Sequence, residues 1–391
     1  MSARASLKTG PLLLRFLDYR TVSSQALCEW PRRSALKWKE DVHGSTIAFT
    51  KGLLRSVYLA SMQSDRVRVL NHLIRVGFSD GFAAPVIILL LFALLIARGI
   101  WLLPEGYNGE DGLNATFSVL LVVWCMGMVS RCVQPTSRLA ACVVTICLFA
   151  ALSLSSSLAA AASAIDGGDY IDPWLFAIDK FLFPFYDWVA VALAIPNYDA
   201  LYWLLNHNYN ALNWQPFVFI GLTLLWGRIE DLGTFVTAWG LGLLGCILPF
   251  HWLPALSPFR YHGIEQDDLP GNMVALPWEF IPVMEGMRDG TIRSMGLESI
   301  TGMVTVPSFH ACAATILSWA FWRYRWVRWP FVLVNVGMAL AAVPIGSHYL
   351  IDILAGVAVG SLAVVGATAL NRPPSKLRTV VSKPRLSLQP V

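Results

Sequence analysis

Charge is scarce in this chain. Asp, Glu, Lys and Arg make up only 14% of the 391 residues, against 56% hydrophobic residues, and the mean hydropathy is +0.56. A soluble domain of this size has no use for so much apolar surface, so the composition excludes that class and implies a polytopic membrane protein. Cysteine is also sparse. The seven, Cys28, Cys125, Cys132, Cys142, Cys147, Cys246 and Cys312, show neither a disulfide framework nor zinc-finger spacing, and they read as small buried hydrophobes. A signal-peptide core is missing, because the amino-terminal "PLLLRFL" is too short and has no small-residue cleavage site after it. No internal repeat is visible, and the one biased tract, "SLSSSLAAAASA", suits close helix packing.

What the chain does have is long apolar segments. Cores approaching the roughly 20 residues needed to span a bilayer occur at 83–103, 115–132, 139–163, 213–227, 232–252, 306–322, 329–346 and 349–370. The expected fold is therefore all-α, a bundle of about eight transmembrane helices. The segments 213–227 and 306–322 are the shortest. Net charge is +4, but its distribution says more, since Lys and Arg accumulate on the cytoplasmic side. Taking alternate connections, 24 of the 29 basic residues fall on one side: the arm before the first segment, Arg131, Arg138, Arg228, Arg323, Arg325, Arg328 and the tail. The opposite loops hold only Lys180, Arg260, Arg288 and Arg293, against sixteen Asp and Glu. Both termini are thus expected in the cytoplasm. Arg98, inside the first span, is expected to snorkel to the headgroups.

Four regions follow. Residues 1–80 form a basic arm, in which "DRVRVLNHLIRVGF" (65–78) sets Val67, Leu70, Leu73 and Ile74 on one helical face and reads as an interfacial helix. Residues 81–163 carry three spans, 164–370 a second membrane domain, and 371–391 a basic tail. Within the second domain, Trp174, Phe176, Phe181, Phe185 and Trp188 suit helices lying in the headgroup zone. The longest outer loop, 253–305, holds five prolines and no membrane-length run. Loops of that length are usually functional.

That loop leads into "VPSFHACAAT", with His310 at a helix mouth, and 38 residues later comes "AVPIGSHYLIDILAG", with His348 and Asp352. The charge-derived topology puts all three at the same extracytoplasmic face. Asp352 is four residues from His348, which on a helix is the same face. A carboxylate at imidazole Nδ1 sets the tautomer, frees Nε2 as a nucleophile and stabilises positive charge on the ring. Asp352 also lies within an apolar span, where an ionisable group is functional by default. Pro307 suits a first helical turn, and the free N–H groups there, beside Ser308, favour a phosphate. His310 would then stand ready to protonate a leaving oxygen. Ser308 itself suits capping better than reaction.

Pro307-Ser308-Phe309-His310 and Gly346-Ser347-His348-Tyr349-Leu350-Ile351-Asp352 resemble the second and third signature motifs of the type-2 phosphatidic acid phosphatase superfamily. "IDPWLFAID", "LPALSP" and "GMRDGT" extend the resemblance over 164–370, toward the inositol phosphorylceramide synthase (inositolphosphotransferase) branch. The resemblance implies a phosphatidic acid phosphatase-like core, a phosphohistidine at His348 oriented by Asp352, proton donation by His310, a lipid phosphate or phosphodiester as substrate, and no metal or other cofactor. Two family features are absent: the first motif, Lys-x6-Arg-Pro, and the Arg six residues before the third-motif His, where Ala342 stands. A phosphate still needs cations. By elimination among the outer loops, Arg288 is the first candidate to bind it and Arg293 the second.

Other functions fit less well. A proton-coupled transporter would place ionisable residues near mid-span, whereas Asp352 and Arg98 lie near span ends. His310, His348 and Asp352 are few enough to form an open zinc site, a reading that chelator insensitivity would remove. The basic residues flank membrane segments, which argues against a nucleic-acid partner. The expected partner is a lipid substrate. The expected location is a bacterial inner membrane or a eukaryotic endomembrane, with the site on the extracytoplasmic side.

Overall fold

The computed structural model describes residues 81–102, 111–134, 136–269, 277–292 and 302–371. The interfacial helix expected at 65–78, the rest of the arm, Arg293 and the tail from 372 lie outside the described residues. Among the described residues the chain is all-helical, without a strand.

Each of the eight apolar segments contains a helix: α1 (Ala83–Leu102), α2 (Asp111–Val133), α3 (Arg138–Ala164), and, after the intervening α4 (Asp172–Leu182), α5 (Trp188–Ala194) and α6 (Asp199–Tyr209), α7 (Gln215–Trp226) and α8 (Ile229–Phe250). A loop carrying α9 (Pro258–Tyr261) and α10 (Pro277–Asp289) leads to α11 (Phe309–Phe321), α12 (Arg328–Ala341) and α13 (Leu350–Leu370). Four of the eight, Ala115–Val133 in α2 together with α3, α8 and α13, are long and apolar enough to cross a membrane. Ala83–Gly99 in α1, α7, α11 and α12 are apolar but shorter. Residues 188–213, expected only as headgroup-zone helices, make an apolar pair of span length in total, bent by 109°. The loop 253–305, expected to hold no membrane-length run, shows none among its described residues, but it does contain the 13-residue α10, with Pro282 inside it.

The most buried spans are α3 and α8, which pack on each other; α3 also packs against α1 and α2, and α8 on α13. Lipid is as apolar as leucine, so small residues that allow close approach carry much of this packing. The run Ala159–Ala162 at the end of α3 is almost completely buried. Conversely, Leu90 and Leu94 on α1 and Val119 and Val122 on α2 are exposed, the pattern of a lipid-facing surface.

The contact that positions the site is between α11 and α13. A Cβ at Gly356 would lie 2.2 Å from the Ser308 carbonyl oxygen, and one at Gly360 would lie 2.6 Å from that of Cys312. Only glycine permits this approach. The pairing advances four residues on each helix together, so the two helices run parallel, with α12 returning between them. Their amino-terminal ends, and with them both histidine motifs, therefore meet at one end of the bundle.

Candidate functional site

Helix α13 begins at Leu350, two residues later than a start at His348. His348 precedes it, in a tight turn where Ser347 has φ 59°, a region that disfavours side chains other than glycine. Several contacts hold the turn. The Ser347 hydroxyl meets the Ser257 hydroxyl at 2.5 Å, and the His348 N–H donates to the carbonyl oxygens of Ala342 (3.2 Å) and Val343 (3.3 Å). Gly346 is needed here because a Cβ would meet the Ala342 oxygen and the Tyr209 ring, both at 2.7 Å.

The relation between His348 and Asp352 survives this shift. Nδ1 of His348 is 3.4 Å from Oδ2 of Asp352, and both side chains are almost wholly buried. The contact lacks hydrogen-bond alignment, and Oδ1 of Asp352 has no hydrogen-bond partner. Catalytic hydrogen bonds are often loose until substrate arrives. Oδ2 also accepts the Tyr349 N–H at 2.9 Å, which fixes the carboxylate relative to the turn. The Asp352 carbonyl accepts the Ser308 N–H at 3.0 Å, joining one motif to the other.

In the second motif, Pro307 stands outside α11, behind a cis Val306–Pro307 bond, and Ser308 occupies the N-cap position. Ser308 was expected to cap the helix through its side chain. Its hydroxyl instead makes no capping bond and is buried without a hydrogen-bond partner. The His310 ring stacks on Tyr209, with centroids 3.9 Å apart. His310 and His348 line one cavity of about 590 Å³.

The supporting residues are the part that sequence reasoning missed. Asp172 and Asp179 lie seven apart, two turns along one face of α4. Asp179 accepts the N–H groups of Leu350 (2.7 Å) and Ile351 (2.8 Å), filling donors that the start of α13 would leave orphaned. Asp172 accepts the N–H groups of Leu256 (2.9 Å) and Ser257 (3.0 Å) and the Tyr349 hydroxyl (3.1 Å). Burial pushes both carboxyls above the usual carboxylate range, against the opposing pull of those N–H donors. Both residues were visible in "IDPWLFAID", where the seven-residue spacing was the available signal. Trp188, expected in the headgroup zone, is instead buried, and its indole Nε1 donates to the His348 carbonyl at 3.1 Å. Exposed Trp174, Phe181 and Phe185 do suit that zone.

Arg288 is placed differently from the phosphate role expected of it. Its Nη2 donates to the carbonyls of Gly167 (2.9 Å) and Gly168 (2.7 Å), and its guanidinium lies 4.4 Å above the Tyr170 ring. It does not line the histidine cavity; its Nη1 is buried with no hydrogen-bond partner. Arg98, expected to reach headgroups, pairs through both guanidinium nitrogens with Asp166, at 2.5 and 3.1 Å. Among the described residues no group of three or more His, Cys, Asp or Glu is arranged to hold a metal ion.

The arrangement can present one imidazole nitrogen to an electrophile while a buried carboxylate steadies the opposite nitrogen, with a second imidazole lining the same cavity. No curated protein and no solved structure matches the chain. Residues 173–366, which carry both histidine motifs and all but the first residue of the Asp172–Asp179 helix, match the family model of the PAP2 superfamily.

Proposed function

We propose that the protein is an integral membrane phosphatase or phosphotransferase acting on lipid-linked phosphate at the extracytoplasmic face. The observation that carries this reading is the shared cavity: His310 and His348 face one space, and Asp352 stands behind His348. The match to the PAP2 superfamily supports phosphatase-type chemistry on lipid phosphates.

In the proposed cycle, His348 Nε2 attacks phosphorus, and the bond from phosphorus to the lipid oxygen breaks. The departing oxygen takes the bond pair and receives a proton from His310. The phosphate dianion, once bound, favours the protonated form of His310 that this step requires. Asp352 balances the charge on the phosphorylated imidazole. Water then attacks phosphorus, giving its proton to His310 as the N–P bond breaks and frees His348. An alcohol in place of water gives phosphoryl transfer, and with a lipid phosphodiester as substrate the same two steps carry the headgroup along with phosphorus, as in inositol phosphorylceramide synthases. We assign phosphate binding to the first-turn N–H groups of α11 and the unpartnered Ser308 hydroxyl; Arg288 serves as the supporting cation only if it leaves the Gly167 and Gly168 carbonyls for the cavity, which it does not line. Arg293 is the alternative cation.

The test is turnover of a panel of lipid phosphates by purified protein, with and without inositol or glycerol. Free phosphate reports hydrolysis, and a new inositol or glycerol phosphate monoester reports transfer. His348→Ala is expected to lower either product by at least about 10³-fold, and a chelator to leave wild-type turnover unchanged. Full turnover by His348→Ala would defeat the proposal.

A further inference from the structure

The histidine cavity is deeper than a phosphate needs. It runs along α3 from Ala160 to Phe149 and along α8 from Ile247 to Trp239. At 1.5 Å per residue, the α3 wall is about 16 Å long. The polar groups on that wall are turned inward on the protein. The Ser156 and Ser157 hydroxyls donate to the Ser153 carbonyl (2.7 and 3.3 Å), and the Trp239 indole donates to the Ser153 hydroxyl (3.4 Å). Aromatic rings close the deep end, where Phe149 lies 4.8 Å from Trp239 and 5.5 Å from Phe217 between centroids.

A space of this shape has two chemistries. Its ionisable lining includes His310, His348 and Glu279. Its far end offers small side chains, spent hydroxyls and rings, which gives water few partners and suits hydrocarbon. One wall belongs to α3, which precedes the segment matching the PAP2 superfamily, so this depth depends on a part of the chain outside that match. We propose that the slot takes one hydrocarbon chain of the substrate lipid, and that Phe149 and Trp239 at its floor limit the chain length turned over. The inference rests on the phosphatase or phosphotransferase reading above.

The experiment compares kcat/KM for a long-chain phosphatidic acid with that for a water-soluble alkyl phosphate too short to leave the histidine end. Ser157→Phe, on the α3 wall, and Leu243→Trp, on the α8 wall, narrow the slot; Phe149→Ala deepens it. Each buried methylene is worth roughly fourfold in affinity. Either narrowing variant should therefore cut long-chain kcat/KM by at least about tenfold, while the short phosphate stays within about twofold. Phe149→Ala should shift the optimum toward longer chains, a gain that a folding defect cannot imitate. An unchanged long-to-short ratio in all three variants overturns the slot while leaving the phosphatase reading intact. If the narrowing variants lose both substrates, Phe149→Ala decides, and an unmoved optimum overturns it. Wild-type protein inert on both substrates defeats the phosphatase reading, and the slot with it.

Discussion

The two ends of α11 use polar residues in opposite ways. At its amino-terminal end, contacts run between side chain and backbone and are buried: Asp352 to the Tyr349 N–H, Asp179 to the N–H groups of Leu350 and Ile351, and the Trp188 indole to the His348 carbonyl. At its carboxy-terminal end, the contacts are mostly cations over rings, with Arg325 on the exposed Trp326, Arg328 on the exposed Trp322 and Trp329, and Arg323 on the half-buried Trp319, at 5.3–5.7 Å. Arg323 also bonds Asp231. A backbone N–H has one direction and cannot be repositioned, so each carboxylate at the first end specifies a geometry. A guanidinium over an indole tolerates many poses, which suits an interface with headgroups. Precision is therefore concentrated at the end where the histidines meet.

Substitutions at three positions would break or sharpen this contrast. The largest effect is expected from Asp352→Asn, which keeps an acceptor for the Tyr349 N–H but cannot balance charge on His348. Turnover should fall by about 10³- to 10⁴-fold, with thermal stability close to that of wild type. Asp179→Ala should act on both properties at a smaller scale. It strips two N–H groups of their acceptor, at a cost of about 1–3 kcal/mol in stability, and loosens the turn that carries His348. Turnover should drop by about tenfold, with Asp179→Asn intermediate because it retains one acceptor oxygen. Denaturation and steady-state kinetics on the same preparations check both values. Trp326→Leu, at the other end, should change stability by no more than about 0.5 kcal/mol and leave turnover unaltered. A Trp326 effect as large as that of Asp179 would erase the contrast.

The ease of reading this chain followed the same division. Membrane segments are set by length and apolar composition, so the helices at 83–102, 138–164 and 350–370 were legible almost to the residue. His310, His348 and Asp352 stood out because a polar residue in an apolar setting is expensive. That His348 stands ahead of α13, in a turn rather than on the helix, was not legible because the Gly346–Ser347 turn and the Asp352 contact to Tyr349 depend on tertiary support. Trp188 looked like a headgroup residue because its bonding partner is the His348 carbonyl, 160 positions away. Asp172 and Asp179 show the same difficulty. Their spacing gave them one helix face, but nothing local disclosed that this face would meet the beginning of α13.

The parallel contact at Gly356 and Gly360 has a consequence for how the chain could be assembled. Because α13 is aligned on α11 by direct backbone approach and by the bond from Ser308 to Asp352, α12 need not fix that register, although its end holds the His348 turn through Ala342 and Val343. Its covalent continuity with α11 is a matter of delivery. Severing the connection at 322–327 and supplying the halves as separate polypeptides would leave each histidine its own route to the other.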